Sequence, residues 1–277
     1  MIKLLSANLY RLRKSRVFWV ELGFTLVFSL LICKWNYSPA IQSSQNPVYL
    51  DDVFFIYYEL LGFVLAAGIS LLVGTEYSDG TLRNKLIVGH SRGSVFLSHL
   101  LASVSTSVLL LLIHGAVSGA VGFYLFGGFQ LSVSQVAYTM ACIFLSTAVY
   151  TAIFLCITIN GSNKAVSAVL CLLLALVLLY LSSWLGAALV EPEVIHSQVI
   201  ISLDGISYGP EIPNPAYLSS FKRSVCELFY DLLPSGQLSQ IIQQDFARAA
   251  RWPWFSLAFF AAVTWVGLLS FRQKNVQ

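Results

Sequence analysis

Eleven residues, EYSDGTLRNKL (76–86), gather two acids, two bases, an asparagine and a threonine in a chain of 277 residues that is 57% hydrophobic and 10% charged. The mixed signs at Glu76, Asp79, Arg83 and Lys85 suit ion pairing and docking, and no nucleophile with its base stands among them. The chain has no HExxH, no CxxC and no phosphate-cradling G-x-x-x-x-G-K-S/T. The nearest approach to the last, GSNKAVS at 161–167, lacks the glycine spacing and the preceding strand, which excludes ATP hydrolysis through a P-loop of the chain's own. His99 and His114 lack companion ligands and read as hydrogen-bonded packing residues. Cys33, Cys142, Cys156, Cys171 and Cys226 follow no ligand or disulfide spacing and read as small apolar fillers. No metal or cofactor is expected on this chain.

Glu59 is the carboxylate singled out inside an apolar run. An acid in a membrane span is costly and tends to face the bundle interior or a water-filled cavity. It stands past Asp52 by about 10 Å of helix. Two roles are open to it: lining a substrate pathway, or pairing with Tyr57, Tyr58 or the interface. A proton relay fits less well, because the other runs offer little beyond His114 as a second ionisable group.

These residues must be carried by membrane helices. Mean hydropathy is +0.75, whereas soluble domains carry about 25% charged residues. The apolar residues fall in six runs, at about 17–33, 53–74, 94–126, 135–159, 166–190 and 254–271, each long enough for a hydrocarbon core of about 30 Å. None alternates with the period of barrel strands. The expectation is an all-α polytopic membrane protein of six transmembrane helices, with 1–277 as a single transmembrane domain. Lys3, Arg11, Arg13, Lys14, Arg16, Arg83, Lys85, Arg92, Lys164, Arg272 and Lys274 fall on one side of these runs. Only Lys34, Lys222, Arg223, Arg248 and Arg251 fall on the other. That bias puts both termini in the cytoplasm. The net charge of +3 then reflects contact with anionic lipid headgroups and is no ground for nucleic-acid binding.

Within residues 1–16, Ile2, Leu5, Leu9 and Leu12 share a helical face, which suits a helix lying in the headgroup plane; a frayed basic tail is the alternative. The first run is expected to be retained, since no small-x-small cleavage site follows Cys33. The third run overshoots one bilayer thickness and is expected to project on the cytoplasmic side. Turns at 127–134 and 160–164 are minimal, making runs three to five antiparallel neighbours. The first outer loop, 34–52, with Pro39, Pro47 and several Ser and Gln, reads as irregular. The long outer loop, 191–252, begins rich in Pro and Gly. From Leu218 onward it turns amphipathic, with a break at Pro234-Ser235-Gly236 and a second helix through Leu238, Ile241, Ile242 and Phe246. This pair, within 216–250, either dips into the membrane or caps the bundle.

Asp79-Gly80 is a turn signal, and Thr81 is expected to cap the start of a short helix with Leu82, Leu86 and Ile87 toward one face and Arg83, Asn84 and Lys85 elsewhere. A polar helix held between two spans suits a groove on a soluble partner. Extended to EYSDGTLRNKLIVGHSR (76–92), the stretch resembles the segment after the second span of ABC-2-type permeases, the membrane subunits of bacterial ATP-binding-cassette exporters. The likeness is carried by Glu76, Tyr77, Gly80, Thr81, Leu82, Arg83, Asn84, Lys85, Leu86, Gly89, Ser91 and Arg92. YDLLPSGQ (230–237) is similar to a stretch in the subset of these permeases found in Gram-positive bacteria, and the six-span layout agrees over the whole chain.

The resemblance implies a half-transporter in a bacterial plasma membrane. Glu76, Tyr77, Asp79, Gly80, Thr81, Leu82, Arg83, Asn84 and Lys85 would couple it to a separate ABC ATPase subunit, which would hold ATP and Mg²⁺. A second permease copy or paralogue would complete the pathway, in contact with membrane lipid. Two other readings remain open: a membrane anchor or sensor docking a cytoplasmic protein, and an ion-coupled carrier using Glu59. Nothing in the spans selects a substrate.

Overall fold

Apolar runs of this length satisfy their backbone in lipid only as helices or closed barrels, and here they are helices. The computed structural model describes residues 1–42, 47–161, 163–197, 199–202 and 205–274. Ser43, Ser44, Gln45 and Asn46 of the first loop, and Ser162 of the turn at 160–164, lie outside the described residues.

Helix α1 (Ile2–Lys14) stops at Ser15, whose extended backbone separates it from α2 (Arg16–Asn36). The N-terminal basic segment is thus an independent amphipathic helix, with Leu4 and Asn8 buried against the bundle. A short α3 (Pro39–Gln42) precedes α4 (Leu50–Phe54), and α4 runs with a slight break at Phe55 into α5 (Ile56–Ser78). Gly80 at φ 67° reverses the chain in a conformation that side-chain-bearing residues avoid, and α6 (Thr81–Ile87) follows. α7 (Arg92–Phe126) starts on Ser91, whose hydroxyl accepts from the Ser94 N–H. Ser132 and Gln135 form a capping box on α8 (Val133–Asn160), and Asn163 caps α9 (Lys164–Val190).

Six helices among the described residues are long and apolar enough to cross a membrane: α2, α4–α5, α7, α8, α9 and α12 (Trp252–Gln273). They are unequally placed. In the most apolar window of α8, 72% of residues are buried inside the bundle, against 28% for α9 and 17% for the last span. α5 and α8 therefore form the centre, while α2, α9 and α12 turn broad apolar faces outward. The overlong third run makes a helix of 35 residues. Its first turns pack on α1, where Asn8 Nδ2 donates to Ser98 Oγ at 3.1 Å. α1, α6 and the last residues of α12 share one end of the bundle, here termed the basic end.

At the opposite end the Pro- and Gly-rich half of the long loop forms short antiparallel pairs, β1 (Val194–His196) with β4 (Glu211–Pro213) and β2 (Val199–Ser202) with β3 (Gly205–Tyr208). Sequence reading gave no strand here. α10 (Ser220–Leu232) and α11 (Pro234–Ile242) follow. The expected break at Pro234-Ser235-Gly236 lies elsewhere: only Leu233 leaves the helical region, and Pro234 is the first residue of α11. The residue before a proline is pushed to extended geometry, and proline's missing N–H costs nothing in a first helical turn. Gly236 permits the tight junction, because a methyl there would collide with the Tyr230 carbonyl. Residues 234–241 are all buried among α5, α8 and α9. Gln237 Oε1 accepts from Ser146 Oγ and Ser256 Oγ, both at 2.8 Å. Since Ser146 lies roughly 20 Å along α8 from its start, α11 is inserted into the bundle and does not cap it.

Candidate functional site

The polar stretch is built from the end of α5 inward. Glu76, 6% exposed, is the hub. Its Oε2 meets Lys85 Nζ at 2.5 Å and His99 Nε2 at 3.2 Å, and its Oε1 meets Arg11 Nη1 at 3.2 Å. Lys85 Nζ also donates to Asn8 Oδ1 (2.8 Å), and Arg11 donates to Thr81 Oγ1 (2.9 Å), which donates to the Glu76 carbonyl (3.1 Å). Four elements, α1, α5, α6 and α7, are thereby tied to one carboxylate. Burial lowers the Lys85 pKa from its ordinary value, and the Glu76 charge opposes that effect. A buried pair of this kind is not a large net source of stability, but removing one partner strands the others at a cost of about 3–5 kcal/mol.

This corrects the expected orientation of α6. Lys85 points into the bundle and not outward, and Glu76 is enclosed. Leu82 is buried as its spacing predicts, whereas Ile87, placed on the same face, is 70% exposed. The outward surface consists of Asp79, Arg83, Asn84, Ile87 and Val88. Tyr77 lies under Lys274, its ring centroid 4.2 Å from Nζ. Gly80 supplies the reversal and Thr81 the link to Arg11. His99, read as a solitary packing residue, belongs to the ion cluster. His114 matches its expected role: Nε2 donates to the Phe54 carbonyl (2.9 Å), Nδ1 shares a hydrogen bond with Ser29 (2.8 Å), and the ring stacks on Tyr57.

Arg92 Nη1 donates to the carbonyls of Phe271 (3.1 Å), Arg272 (3.0 Å) and Lys274, closing the last span onto the start of α7. The sequence holds two G-x-S-x-G spacings, Gly89–Gly93 and Gly205–Gly209. The first serine, Ser91, is the cap of α7 and its hydroxyl donates to Ser94 Oγ; the second lies in β3, in a hairpin and not on a strand-to-helix turn. Among the described residues no group of three His, Cys, Asp or Glu is placed to hold a metal ion.

Glu59 is half-buried near the opposite end. The Tyr57 hydroxyl is shared with Thr25 (2.8 Å) and that of Tyr58 with Met140 Sδ (3.7 Å), so neither tyrosine is its partner. A second intramembrane acid, Glu21 in α2, was passed over by the sequence reading. It is 8% exposed, and the signal was plain: one acid within an otherwise apolar first run.

The model of the ABC-2 family transporter proteins matches residues 4–182, from α1 through most of α9 and including every residue of the Glu76 cluster. No curated protein matches the chain. Six apolar helices, a clamped polar helix after the second span and a family match over more than half of the sequence agree: the chain belongs to the ABC-2 transporter family, as a multi-pass membrane permease subunit.

Proposed function

We propose that the chain is the permease half of an ATP-driven exporter in a bacterial plasma membrane, with α6 seated in a cleft of a separate ATPase subunit. The observation that carries this reading is the form of α6. It is a short helix with Arg83, Asn84, Ile87 and Val88 outward and its inner face fastened to α1, α5 and α7 through Glu76. A push on the outer surface of such a helix moves α5 with it, because the two share the Glu76–Lys85 ion pair and the Thr81–Glu76 hydrogen bond and not a flexible tether. α5 packs on α9 and α11, so its displacement reaches the inserted helix at the other end of the bundle.

The concentration of basic residues at the α6 end supports a cytoplasmic placement of both termini. The lack of a P-loop motif supports ATP and Mg²⁺ being held by the partner. The broad apolar faces of α2, α9 and α12, with Trp184, Tyr180 and Trp265 outward, support a second permease copy or paralogue beside this one. Export as the direction rests on the resemblance of residues 76–92. Glu76 and Lys85 act here as the fastening, and Arg83 and Asn84 as the contact.

The test is a photo-cross-linker at Asn84 in cells that express the ATPase encoded with this chain. A covalent adduct with that ATPase is expected, lost when the cross-linker is moved to Lys34. Capture of no ATPase, or labelling of position 84 by a membrane-impermeant reagent added to intact cells, overturns the reading.

A further inference from the structure

Between α1, α2, α5 and α7 lies a cavity of about 330 Å³, enough for a small organic molecule and far more than one or two waters need. It is lined at the basic end by Lys14 and Asp79 and farther in by Leu65, Ile69 and Leu72 of α5, Glu21 of α2 and Ser103 and Thr106 of α7. Glu21 is 8% exposed, and its Oε2 is buried without a hydrogen-bond partner. The neighbouring cations are engaged elsewhere: Arg11 with Glu76 and Thr81, and Lys14 over the Tyr10 ring.

The berth for this acid is built. A methyl at Gly68 would overlap the Glu21 carboxylate, so α5 is cut away where the acid lies. Thr106 donates its hydroxyl proton to the Ala102 carbonyl (3.2 Å), which leaves its oxygen as an acceptor. The cavity thus offers the Glu21 carboxylate and the Thr106 and Ser103 hydroxyls, beside apolar side chains of α5. The carboxylate has no cation of the chain paired with it and calls for a ligand that brings N–H donors and positive charge, because an uncompensated carboxylate in such surroundings is costly.

We propose that this cavity binds the primary ammonium group of a small amphiphile, with Glu21 as counter-ion, Thr106 as neutral acceptor and the α5 leucines along its hydrocarbon part. The ammonium comes from an aminophospholipid headgroup or from a free alkylamine. The site goes beyond the docking role of α6 and does not depend on it; failure of the Asn84 cross-link leaves it standing.

The test uses the full chain in nanodiscs of phosphatidylglycerol, with n-butylammonium and butyrate as calorimetric titrants. Saturable binding of butylammonium and none of butyrate is expected, weakened about tenfold or more by Glu21→Gln. If Glu21→Gln does not fold, a maleimide reaction at Ser103→Cys in the otherwise native chain reads the same site, and butylammonium slows it while butyrate does not. Discs of phosphatidylethanolamine separate the sources. A headgroup occupant weakens added butylammonium, and a free amine leaves its affinity unchanged; either result upholds the ammonium site. Absence of saturable butylammonium binding by the folded chain, or equal binding by folded Glu21→Gln, overturns it.

Discussion

Two buried acids anchor the two ends of this molecule, and they are held differently. At the basic end Glu76 draws Arg11, Lys85 and His99 from three other helices. At the opposite end Asp231, with a fully buried side chain, meets Arg248 Nε at 3.1 Å and Arg251 at 3.8 Å; Arg248 also meets Glu227 (3.7 Å) and donates to Gln240 Oε1 (3.1 Å). Burial raises the Asp231 pKa from its ordinary value, and the Arg248 hydrogen bond and charge oppose the rise. With Arg223, 3.5 Å from Glu227, every residue of the second cluster lies within one stretch, 223–251, so it fastens the α10–α11 insertion to the start of the last span. The first cluster joins parts of the chain that are far apart in sequence. One end is a self-contained plug; the other is a joint among the helices that would have to move together.

Substitutions can break this comparison. The largest loss is expected for Glu76→Ala, which strands three bases on one enclosed site and costs about 3–5 kcal/mol; the yield of folded chain extracted from membranes should fall sharply. If Glu76→Ala extracts normally, the cluster is not a joint. Asp231→Asn keeps the side chain's shape and leaves Arg248 its contact with Glu227, so the cost should be smaller, about 1–3 kcal/mol. Limited proteolysis should locate the loosening at 220–251 and not at the basic end. Gly236→Ala sharpens the point, because the added methyl meets backbone at the α10–α11 junction. Thermal unfolding should drop by about 1–3 kcal/mol, with the Glu76 region still protected from exchange. The smallest effect on stability belongs to Arg83→Ala, exposed and outside both clusters, within about 0.5 kcal/mol. Under the proposed role the same variant lowers permease-stimulated ATP turnover in the assembled complex. Unchanged turnover would remove Arg83 from the contact surface.

Much of the architecture was legible because hydropathy is summed over long runs. The six apolar helices, the separate N-terminal helix and the unusual length of the third span all follow from composition and length. The start of a helix at Thr81 was legible because Gly80 marks the reversal locally, but the cap is Gly80 and not the Thr81 side chain, whose hydroxyl donates to the Glu76 carbonyl. What escaped was non-local or fine. Nothing near residue 76 announces Arg11 or His99 as partners, so charges that close on each other looked like charges waiting for another protein. Glu21 stood out as the one acid of its run, but the cavity it lines is built with three other helices and has no local signal. The position of the α10–α11 break was misplaced by a cluster of turn-forming residue types, although the effect of Pro234 on Leu233 is a local rule. The short strands at 194–213 sit in a segment whose prolines and glycines signal only the absence of helix.

The overrun of α7 has a further consequence. A helix of 35 residues is roughly 52 Å long, some 20 Å more than the hydrocarbon it crosses. Under the proposed seating of α6, a surplus on the basic side would act as a strut that sets the standoff between the headgroup plane and a partner at the Gly80 reversal. Longer acyl chains submerge more of that strut and shorten the standoff, so activity in reconstituted vesicles should vary with acyl-chain length even when every contact within the protein is preserved.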